Sequence, residues 1–406
     1  MNATHQGRAL LVMIAATALV LAGCTSANTE SAATATASSQ TPATTEANSK
    51  SADLDRALAE LVAMPGGPPG VISVVQVNGE RTVHAVGVGD LTTGAAPTMY
   101  DHMRVASAAK AFSGATALAL VDQGKLSLDD TIGKWLPEQP AAWAAVTLRQ
   151  LLSHTSGLPD FSQAPAFGQA VVASLLDPPP PADLLKFVAD QPLVFPPGSQ
   201  YMYDNSDNIT VGLMIEAATG KTYAEVLKEQ VLQPLGLDST SLPEGVEMSE
   251  PVLRGYSVEA PNPPEDETEL VAAGWSWASG GVVSTPEDMN DFIRGYVGGR
   301  VFGPETQAKQ TDLFIPGGES GPPGPGVNSS SLALFRYETP CGVVYGHTGN
   351  TSGYTQFMVA SPDGTRSATV AMNAQRNAEG TPPELQVLRG LQQAEAAAIC
   401  LALDGS

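Results

Sequence analysis

The segment that decides the fold runs from residue 107 to residue 124 and reads SAAKAFSGATALALVDQG. Its apolar residues recur at helical spacing up to Gly124, so the pattern predicts a helix over about 108–123. Ser107 and Lys110 stand three residues apart at its start, which places both side chains on one face, about 5 to 6 Å apart. The segment therefore predicts an apolar helix that presents a hydroxyl beside an amine.

A serine beside a lysine is an arrangement suited to nucleophilic catalysis. The hydroxyl is inert until a base removes its proton, and an amine serves as that base when burial or nearby cations lower its pKa. The N-terminal end of the helix also favours negative charge developing at Ser107. The pattern alone is weak, because roughly one Ser-x-x-Lys is expected by chance in a chain of this size. Ser107 and Lys110 are thus candidate catalytic residues that need support from elsewhere in the chain.

Strand patterns lie on both sides of a helical middle region, which spans about 107–294. A short helix near 53–62 precedes two β-branched runs, 71–77 and 82–88, that flank the hairpin signal Asn78-Gly79. Four more strand patterns and a final helix follow at 332–337, 342–347, 354–360, 367–372 and 385–401. We expect an α+β fold in which strands from both termini form one antiparallel sheet, flanked by terminal helices and packed on an inserted helical lobe. The cleft between the two lobes is the expected site.

Composition excludes several classes of function. The chain has 406 residues, of which 43% are hydrophobic and 15% charged, enough for a sizeable core. The net charge is −22 and no run of basic residues stands out, so nucleic-acid binding is not expected. We expect neither a metal ion nor another cofactor: no glycine-rich phosphate loop occurs, and no metal-binding spacing joins the histidines at 5, 84, 102, 154 and 347.

The first 52 residues predict export and tethering. Residues 1–23 hold one Arg, Arg8, and then an uncharged apolar run, which fits a signal peptide. The run ends in Leu-Ala-Gly before Cys24 and resembles a bacterial lipobox, implying cleavage and lipid on the Cys24 sulfur. A plain secretory signal with an unmodified Cys24 is the alternative. Residues 24–52 are rich in Ala, Ser and Thr and predict a flexible tether, so a domain at 53–406 would stand in the cell envelope, lipid-anchored to the cell membrane.

Two cysteines, Cys341 and Cys400, remain in the mature chain. Because an exported protein folds under oxidising conditions, we predict one disulfide between them. Two buried free thiols are the alternative.

A second polar motif, Tyr203-Asp204-Asn205, precedes a predicted helix at 209–219. The phenol could carry a proton between Ser107 and a leaving group, and the Asn205 amide could hold Lys110 and a substrate carbonyl. A buried tyrosine followed by a helix-capping asparagine is the structural alternative.

A third motif, His347-Thr348-Gly349, ends a predicted strand. An edge strand can bind an extended peptide, with Gly349 admitting the peptide backbone, Thr348 donating to a terminal carboxylate and His347 adding positive potential. By itself the motif is usually a turn.

The three motifs in this order resemble those of the penicillin-recognising serine hydrolases, which include class C type β-lactamases, related esterases and D-alanyl-D-alanine carboxypeptidases. The stretches LLSHTSGL at 151–158 and GGVVSTPED at 280–288 are also typical of that family, and the resemblance covers about 53–400. Histidine in the third motif and the positions of the two cysteines make the chain most similar to the secreted actinomycete carboxypeptidases.

The resemblance implies a β-lactamase/transpeptidase-like fold and a role for each matched residue. Ser107 would be the acylated nucleophile, Lys110 and Tyr203 the proton-transfer pair, and Asn205 a positioning residue. The backbone N–H groups of Ser107 and Asn350 would form the oxyanion hole. Trp275 would be an aromatic wall of the substrate groove, although it could equally be a core residue.

The chain departs from the carboxypeptidase pattern in three places. Asn350 replaces the threonine after the third motif. Phe335 stands where a carboxylate-binding arginine is expected, and the adjacent Arg336 would point to the opposite face of its strand. The triplet 206–208, Ser-Asp-Asn, matches the middle motif of class A β-lactamases, which leaves a second possible assignment of that motif. A role for His154 as a triad base is also possible, but a hydrogen-bonded structural histidine is expected.

We therefore expect an envelope lipoprotein that is a serine hydrolase and acts through an acyl-enzyme. The resemblance implies D-alanyl-D-alanine carboxypeptidase activity on peptidoglycan stem peptides. A β-lactamase or small-ester hydrolase with the same mechanism is one alternative, and a non-catalytic penicillin-binding lipoprotein is another. The expected partners are a small-molecule or peptide substrate, and the membrane only through the lipid.

Overall fold

The computed structural model describes residues 43–312, 314–317, 324–378 and 380–405. The expected signal peptide, the first part of the tether and the lipid site Cys24 lie outside these ranges and stay predictions. Within the described ranges, no helix has the length and apolar character needed to cross a membrane.

Strands come from both ends of the described chain. They are β1 (Gly70–Val77), β2 (Glu80–Gly87), β3 (Met103–Arg104), β4 (Tyr256–Ser257), β5 (Glu265–Asp266), β6 (Val283–Ser284), β7 (Ile315–Pro316), β8 (Val327–Ser330), β9 (Phe335–Thr339), β10 (Gly342–Thr351), β11 (Tyr354–Ala360) and β12 (Ser367–Met372). Eight of them form one antiparallel sheet in the order β2-β1-β12-β11-β10-β9-β8-β7. Because β1 pairs with β12, the N-terminal hairpin and the C-terminal strands share a single sheet.

Helices fill the middle of the chain and both ends. They are α1 (Ala43–Ala63), α2 (Ala109–Asp122), α3 (Ile132–Trp135), α4 (Leu148–Leu152), α5 (Pro165–Ala173), α6 (Pro181–Leu184), α7 (Ser206–Thr219), α8 (Tyr223–Leu227), α9 (Gln233–Leu235), α10 (Trp277–Gly280), α11 (Pro286–Val297), α12 (Pro304–Gln310) and α13 (Pro382–Asp404). The expected α+β architecture, with an inserted helical lobe, is confirmed.

The predicted hairpin forms at Asn78-Gly79, which joins β1 to β2. Both residues have positive φ, 50° at Asn78 and 91° at Gly79. A two-residue hairpin turn of this type requires positive φ at both positions, and Asn and Gly adopt it at low cost. The turn thereby sets the register in which Val77 pairs with Glu80.

Each face of the sheet has its own apolar core. On one face, α1 and α13 cover the strands with buried residues such as Leu58 and Leu391. On the other face, α11 packs on the sheet and joins it to the helical lobe, where the Phe292 ring stacks on Phe112 of α2 at 3.6 Å between centroids. Helix α2 lies between the lobe helices and the sheet, with α7 and α10 on one side and β10 on another, and it is buried from Ala109 to Leu120, as an apolar helix without a polar face should be.

Helix α1 begins at Ala43 rather than near residue 53. The sequence prediction followed the apolar spacing of Leu54, Leu58 and Leu61, which are buried against α13 and the sheet. The helix continues toward the N terminus because no Gly or Pro interrupts 43–63, and Lys50 pairs with Asp404 of α13 at 2.5 Å.

The predicted disulfide between Cys341 and Cys400 is present, with the two Cα atoms 5.2 Å apart. Cys341 lies in the turn between β9 and β10, and Cys400 lies in α13. The bond therefore ties the strand that carries His347 to the terminal helix.

The disulfide closes a loop in which the cysteines are 59 residues apart. Since such a link restricts the unfolded chain, we expect the double variant Cys341→Ser, Cys400→Ser to lose about 4 kcal/mol of unfolding free energy. Urea unfolding followed by tryptophan fluorescence measures this. Wild type in reducing agent should match the variant, and equal stability of oxidised wild type and variant would contradict the prediction.

Candidate active site

Ser107 lies in a 3₁₀ turn, Ala106–Ala108, that leads into α2. Its side chain is partly exposed, whereas Lys110 is 1% exposed. Ala106 has a φ of 50°, which is strained for a residue with a Cβ. The strained turn presents the Ser107 hydroxyl to solvent while the following helix carries Lys110 into the core.

The Lys110 amine has three acceptors around it. Its Nζ lies 3.2 Å from Ser107 Oγ, 2.7 Å from Asn205 Oδ1 and 2.8 Å from the carbonyl oxygen of Ser279. Burial lowers the pKa of Lys110 to about 7, and nearby carboxylates, Asp160 first, oppose the shift. A substantial fraction of the amine is therefore neutral at neutral pH, the form that can accept the Ser107 proton.

The ring of Tyr203 lies beside the Lys110 amine. The Lys110 Nζ lies 5.0 Å from the centroid of its ring. Burial raises the pKa of the Tyr203 hydroxyl, while a hydrogen bond with the Ser107 side chain opposes that rise. The phenol thus stays protonated at neutral pH and lies close enough to influence the nucleophile.

Both the oxygen and the nitrogen of the Asn205 side-chain amide are hydrogen-bonded within the protein. Its Oδ1 accepts from Lys110, and its Nδ2 donates to Asp160 Oδ2 at 3.1 Å and to Ser162 Oγ at 2.9 Å. The expected contact with Lys110 is present. The expected hydrogen bond to a substrate carbonyl would need one of the Nδ2 hydrogens, and both have protein acceptors here.

Residues 206–208, the alternative match to the second motif, make their side-chain hydrogen bonds to groups other than the Lys110 amine. Ser206 Oγ donates to the carbonyl oxygen of Pro159 at 2.7 Å and accepts from the Phe161 N–H, so it serves the local loop. Asn208 donates to Ser113 Oγ inside the lobe. Of the two assignments left open by the sequence, the structure places Tyr203 and Asn205 at Lys110.

Strand β10 passes directly beside the turn that carries Ser107. A Cβ on Gly349 would clash with the carbonyl oxygen of Val105 and would lie 3.1 Å from the Ala108 nitrogen. We expected this glycine to admit a substrate backbone, but the chain's own turn occupies that space. The close approach sets the next residue, Asn350, beside the nucleophile turn, with its side chain accepting from Thr355 and Arg376.

His347 differs from the expectation that it supplies positive potential. It is fully buried, with its ring 5.0 Å from that of Phe335 and 6.3 Å from that of Tyr203. Burial lowers its pKa to about 3, with the Lys110 charge adding to the effect, so the ring is neutral at neutral pH. Its Nδ1 faces the carbonyl oxygen of Thr348, which can only accept, so Nδ1 carries the hydrogen.

Thr348 and Arg336 are the two other candidates for binding a substrate carboxylate. Thr348 is 7% exposed in β10. Arg336 pairs with Glu338 and lies on the opposite face of β9 from Phe335, whose ring is 6.3 Å from that of Tyr203. Arg336 therefore points away from the site, as strand alternation predicted.

Trp275 is a core residue in this structure. It is 4% exposed, its indole N–H donates to the carbonyl oxygen of Ser174, and its ring meets Phe167 edge-on at 5.7 Å. This placement favours a core role for Trp275 over the alternative, a wall of the substrate groove.

A buried polar cluster lies behind the site. His154 Nδ1 is 3.0 Å from Asp207 Oδ2, and one potential ligand atom each from His154, Asp204 and Asp207 lie within 4.8 Å of one another. These residues could surround a metal ion, but burial raises the pKa of Asp207 to about 8 and that of Asp204 well above its usual value. The pair retains a proton at neutral pH, which competes with metal binding. His154, with its pKa lowered to about 3 by burial, is neutral and structural.

The sequence analysis missed Asp160, Ser162 and Ser279. Asp160 follows the LLSHTSGLP stretch by one residue, but no spacing rule links it to Asn205, 45 residues away. Ser279 contributes only its backbone carbonyl, which leaves no residue-type signal.

Comparisons with known proteins place this geometry in a family. Residues 54–391 match the family model described as Beta-lactamase. The chain is 28% identical over 258 residues to D-alanyl-D-alanine-carboxypeptidase/endopeptidase AmpH of Escherichia coli strain K12, covering 61% of this chain and 63% of that protein. It is 32% identical over 182 residues to Penicillin-binding protein 4 of Amycolatopsis lactamdurans, covering 43% and 45%. The matched segments span less than two thirds of either relative.

A solved structure shows a similar fold. The D-stereospecific amidohydrolase from Streptomyces sp. superposes with a TM-score of 0.71 at 26% identity, covering 84% of this chain and 98% of that one. The resemblance inferred from the motifs is confirmed, because the family model spans nearly all of the described domain. The chain belongs to the Beta-lactamase family of serine hydrolases.

Proposed function

We propose that this protein cleaves an amide bond next to a D-amino acid through an acyl-enzyme formed on Ser107. The observation that carries the proposal is the Lys110 amine, 3.2 Å from Ser107 Oγ and with a pKa lowered to about 7. A base whose pKa lies near the working pH combines a useful neutral fraction with enough basicity to take a serine proton.

In the acylation step, neutral Lys110 accepts the Ser107 proton as Ser107 Oγ attacks the carbonyl carbon of the substrate. The negative charge that forms on the carbonyl oxygen is stabilised by the backbone N–H groups of Ser107 and Asn350, which lie on the facing turn and strand. The proton then passes from Lys110, through the protonated Tyr203 phenol, to the nitrogen of the leaving amine. The C–N bond breaks and the acyl group remains on Ser107.

In the deacylation step, water replaces the amine. Neutral Lys110 takes a proton from the water, through the Tyr203 phenol, as the water oxygen attacks the acyl carbon, and it returns a proton to Ser107 Oγ as the ester bond breaks. Lys110 thus acts first as base and then as acid in each half-reaction, and the enzyme ends in its starting protonation state.

The first candidate substrate is the D-alanyl-D-alanine end of a peptidoglycan stem peptide. The similarity to the carboxypeptidase/endopeptidase at 28% identity supports it. We also propose, from the sequence, that residues 1–23 are a lipoprotein signal peptide. Lipid on Cys24, and the tether between it and the start of α1 at Ala43, would then hold the folded domain in the cell envelope, where that substrate occurs.

A second candidate substrate is a D-amino acid amide, which has no terminal carboxylate. His347 is neutral and Arg336 faces away, so neither residue provides the cation that a terminal carboxylate would favour. The 26% identity to a D-stereospecific amidohydrolase points the same way.

Acyl-enzyme formation is tested with a fluorescent penicillin. We expect wild type to carry a covalent label that survives denaturation, because Ser107 Oγ opens the lactam and forms an ester. The Ser107→Ala variant should carry none. As a control, Ser206→Ala retains the site and should be labelled like wild type. Absence of label on wild type would favour the non-catalytic alternative.

The two substrate candidates differ only in the leaving group. We expect a peptide ending in D-alanyl-D-alanine and the matched peptide ending in D-alanine amide to be cleaved with kcat/KM values within about tenfold, because neither His347 nor Arg336 offers a positive charge to the carboxylate. Quantifying released D-alanine and ammonia gives the ratio. A preference for the D-alanyl-D-alanine peptide far above tenfold would show that a cation recognises its carboxylate.

The assignment of the middle motif is tested by two variants. Tyr203→Phe removes the hydroxyl that contacts Ser107, and we expect kcat to fall about 100-fold or more. Ser206→Ala loses only loop hydrogen bonds and should keep kcat within about threefold, at a cost in stability of about 1 kcal/mol. The reverse ranking would assign the proton transfer to Ser206.

A further inference from the structure

Asp160 borders the site without belonging to any of the three motifs. It precedes the 3₁₀ turn Phe161–Gln163 and caps it, with its Oδ1 accepting from the Ser162 N–H at 2.9 Å and the Ser162 hydroxyl at 2.8 Å. Its Oδ2 accepts from Asn205 Nδ2 at 3.1 Å. The Asp160 side chain keeps some exposed surface, whereas its neighbour Pro159 is buried. Because one carboxyl oxygen reaches Asn205, Asp160 does more than cap a turn.

The contacts of Asn205 leave its amide only one orientation. Burial raises the pKa of Asp160, whereas hydrogen bonds from Ser162 and the Lys110 charge oppose that rise. In its carboxylate form Asp160 accepts hydrogen bonds and cannot donate, so the group facing it is Nδ2. The oxygen consequently faces Lys110, whose Nζ lies 2.7 Å away. In the flipped amide, Oδ1 would meet the Asp160 carboxylate, which is repulsive, and Nδ2 would meet Lys110, which is repulsive whenever the amine is protonated.

We propose that Asp160 is a positioning residue for the acylation of Ser107: it locks the Asn205 amide and thereby aims the Lys110 amine at the Ser107 hydroxyl. The proposal rests on the proposed function for its meaning in catalysis. The continuous path runs from Asp160 through Asn205 and Lys110 to Ser107, with no gap above 3.2 Å.

Several titratable side chains surround Lys110 besides Asp160. They are Asp207 in the first turn of α7, Asp204 and Tyr203 just before that helix, His154 after α4 and His347 in β10. The two histidines are neutral, and Asp204 and Asp207 retain a proton between them. Among the carboxylates, Asp160 does most to support the pKa of Lys110 against burial. Neutralising Asp160 should therefore lower the pKa of Lys110.

The test compares Asp160→Asn with Asp90→Asn, a matched control. Asp90 caps a turn in the same way, accepting from the Thr92 N–H at 2.7 Å, and it is likewise half-buried, but it is bonded to neither Asn205 nor Lys110. We measure kcat and KM from pH 5 to pH 9, and we follow the titration of Lys110 by NMR in protein labelled at lysine Cε, with the signal assigned from Lys110→Met.

For wild type, activity should rise with pH through a midpoint near 7, because neutral Lys110 is the active form. In Asp160→Asn, we expect kcat to fall about tenfold with little change in KM, and the midpoint to move to lower pH. Asp90→Asn should match wild type. In the Asn205→Ala background, adding Asp160→Asn should cause no further loss in kcat, because Asp160 acts through Asn205.

Additive losses in the double variant, or a fall in kcat with an unchanged midpoint, would overturn the proposal and leave Asp160 as a structural cap. The NMR titration needs no substrate. If wild type neither turns over substrate nor accepts the penicillin label, the proposed function fails, but the shift of the Lys110 titration in Asp160→Asn still decides whether Asp160 controls that amine.

Discussion

The burial of one amine governs the rest of this site. Lys110 points into the core from α2, and an ammonium group there would be costly without acceptors on every side. The protein supplies three of them, from the nucleophile turn, the start of α7 and the end of α10. Any change in how those elements pack therefore alters both the direction of the amine and the fraction of it that is neutral. The packing of the lobe thus sets the properties of Lys110 on which the proposed chemistry depends.

The sheet contributes by approaching that lobe closely. Gly349 lets β10 touch the Ser107 turn, and the neighbouring disulfide fixes the start of the same strand to α13. In the proposed mechanism, one backbone N–H from the Ser107 turn and one from β10 bind the same substrate oxygen, which requires the lobe and the sheet to lie this close together. Because this arrangement is built from backbone atoms, it depends on how the elements dock rather than on the identity of Asn350.

The chain combines a net charge of −22 with a site whose recognition residues are uncharged or turned away. His347 is buried and neutral, and Arg336 pairs with Glu338 on the other face. The carboxyl groups near the site, Asp160 first, instead act on Lys110 and support its pKa against burial. The nearby charge is thus directed at the protein's own amine.

Local chemistry along the chain is enough to predict most of the helices and strands and the Ser107–Lys110 pair. The Asn78-Gly79 turn, the apolar helix after Ser107 and the two cysteines of the folded domain made the hairpin, α2 and the disulfide predictable. Which groups meet in the site depends on the packing of the folded chain. That packing brought Asp160 and the Ser279 carbonyl to the site, placed Trp275 in the core, filled the space at Gly349 with the Ser107 turn and made His347 neutral. These outcomes depend on contacts between residues far apart in the chain and on the loss of solvent around them, and neither is encoded in the spacing of residue types.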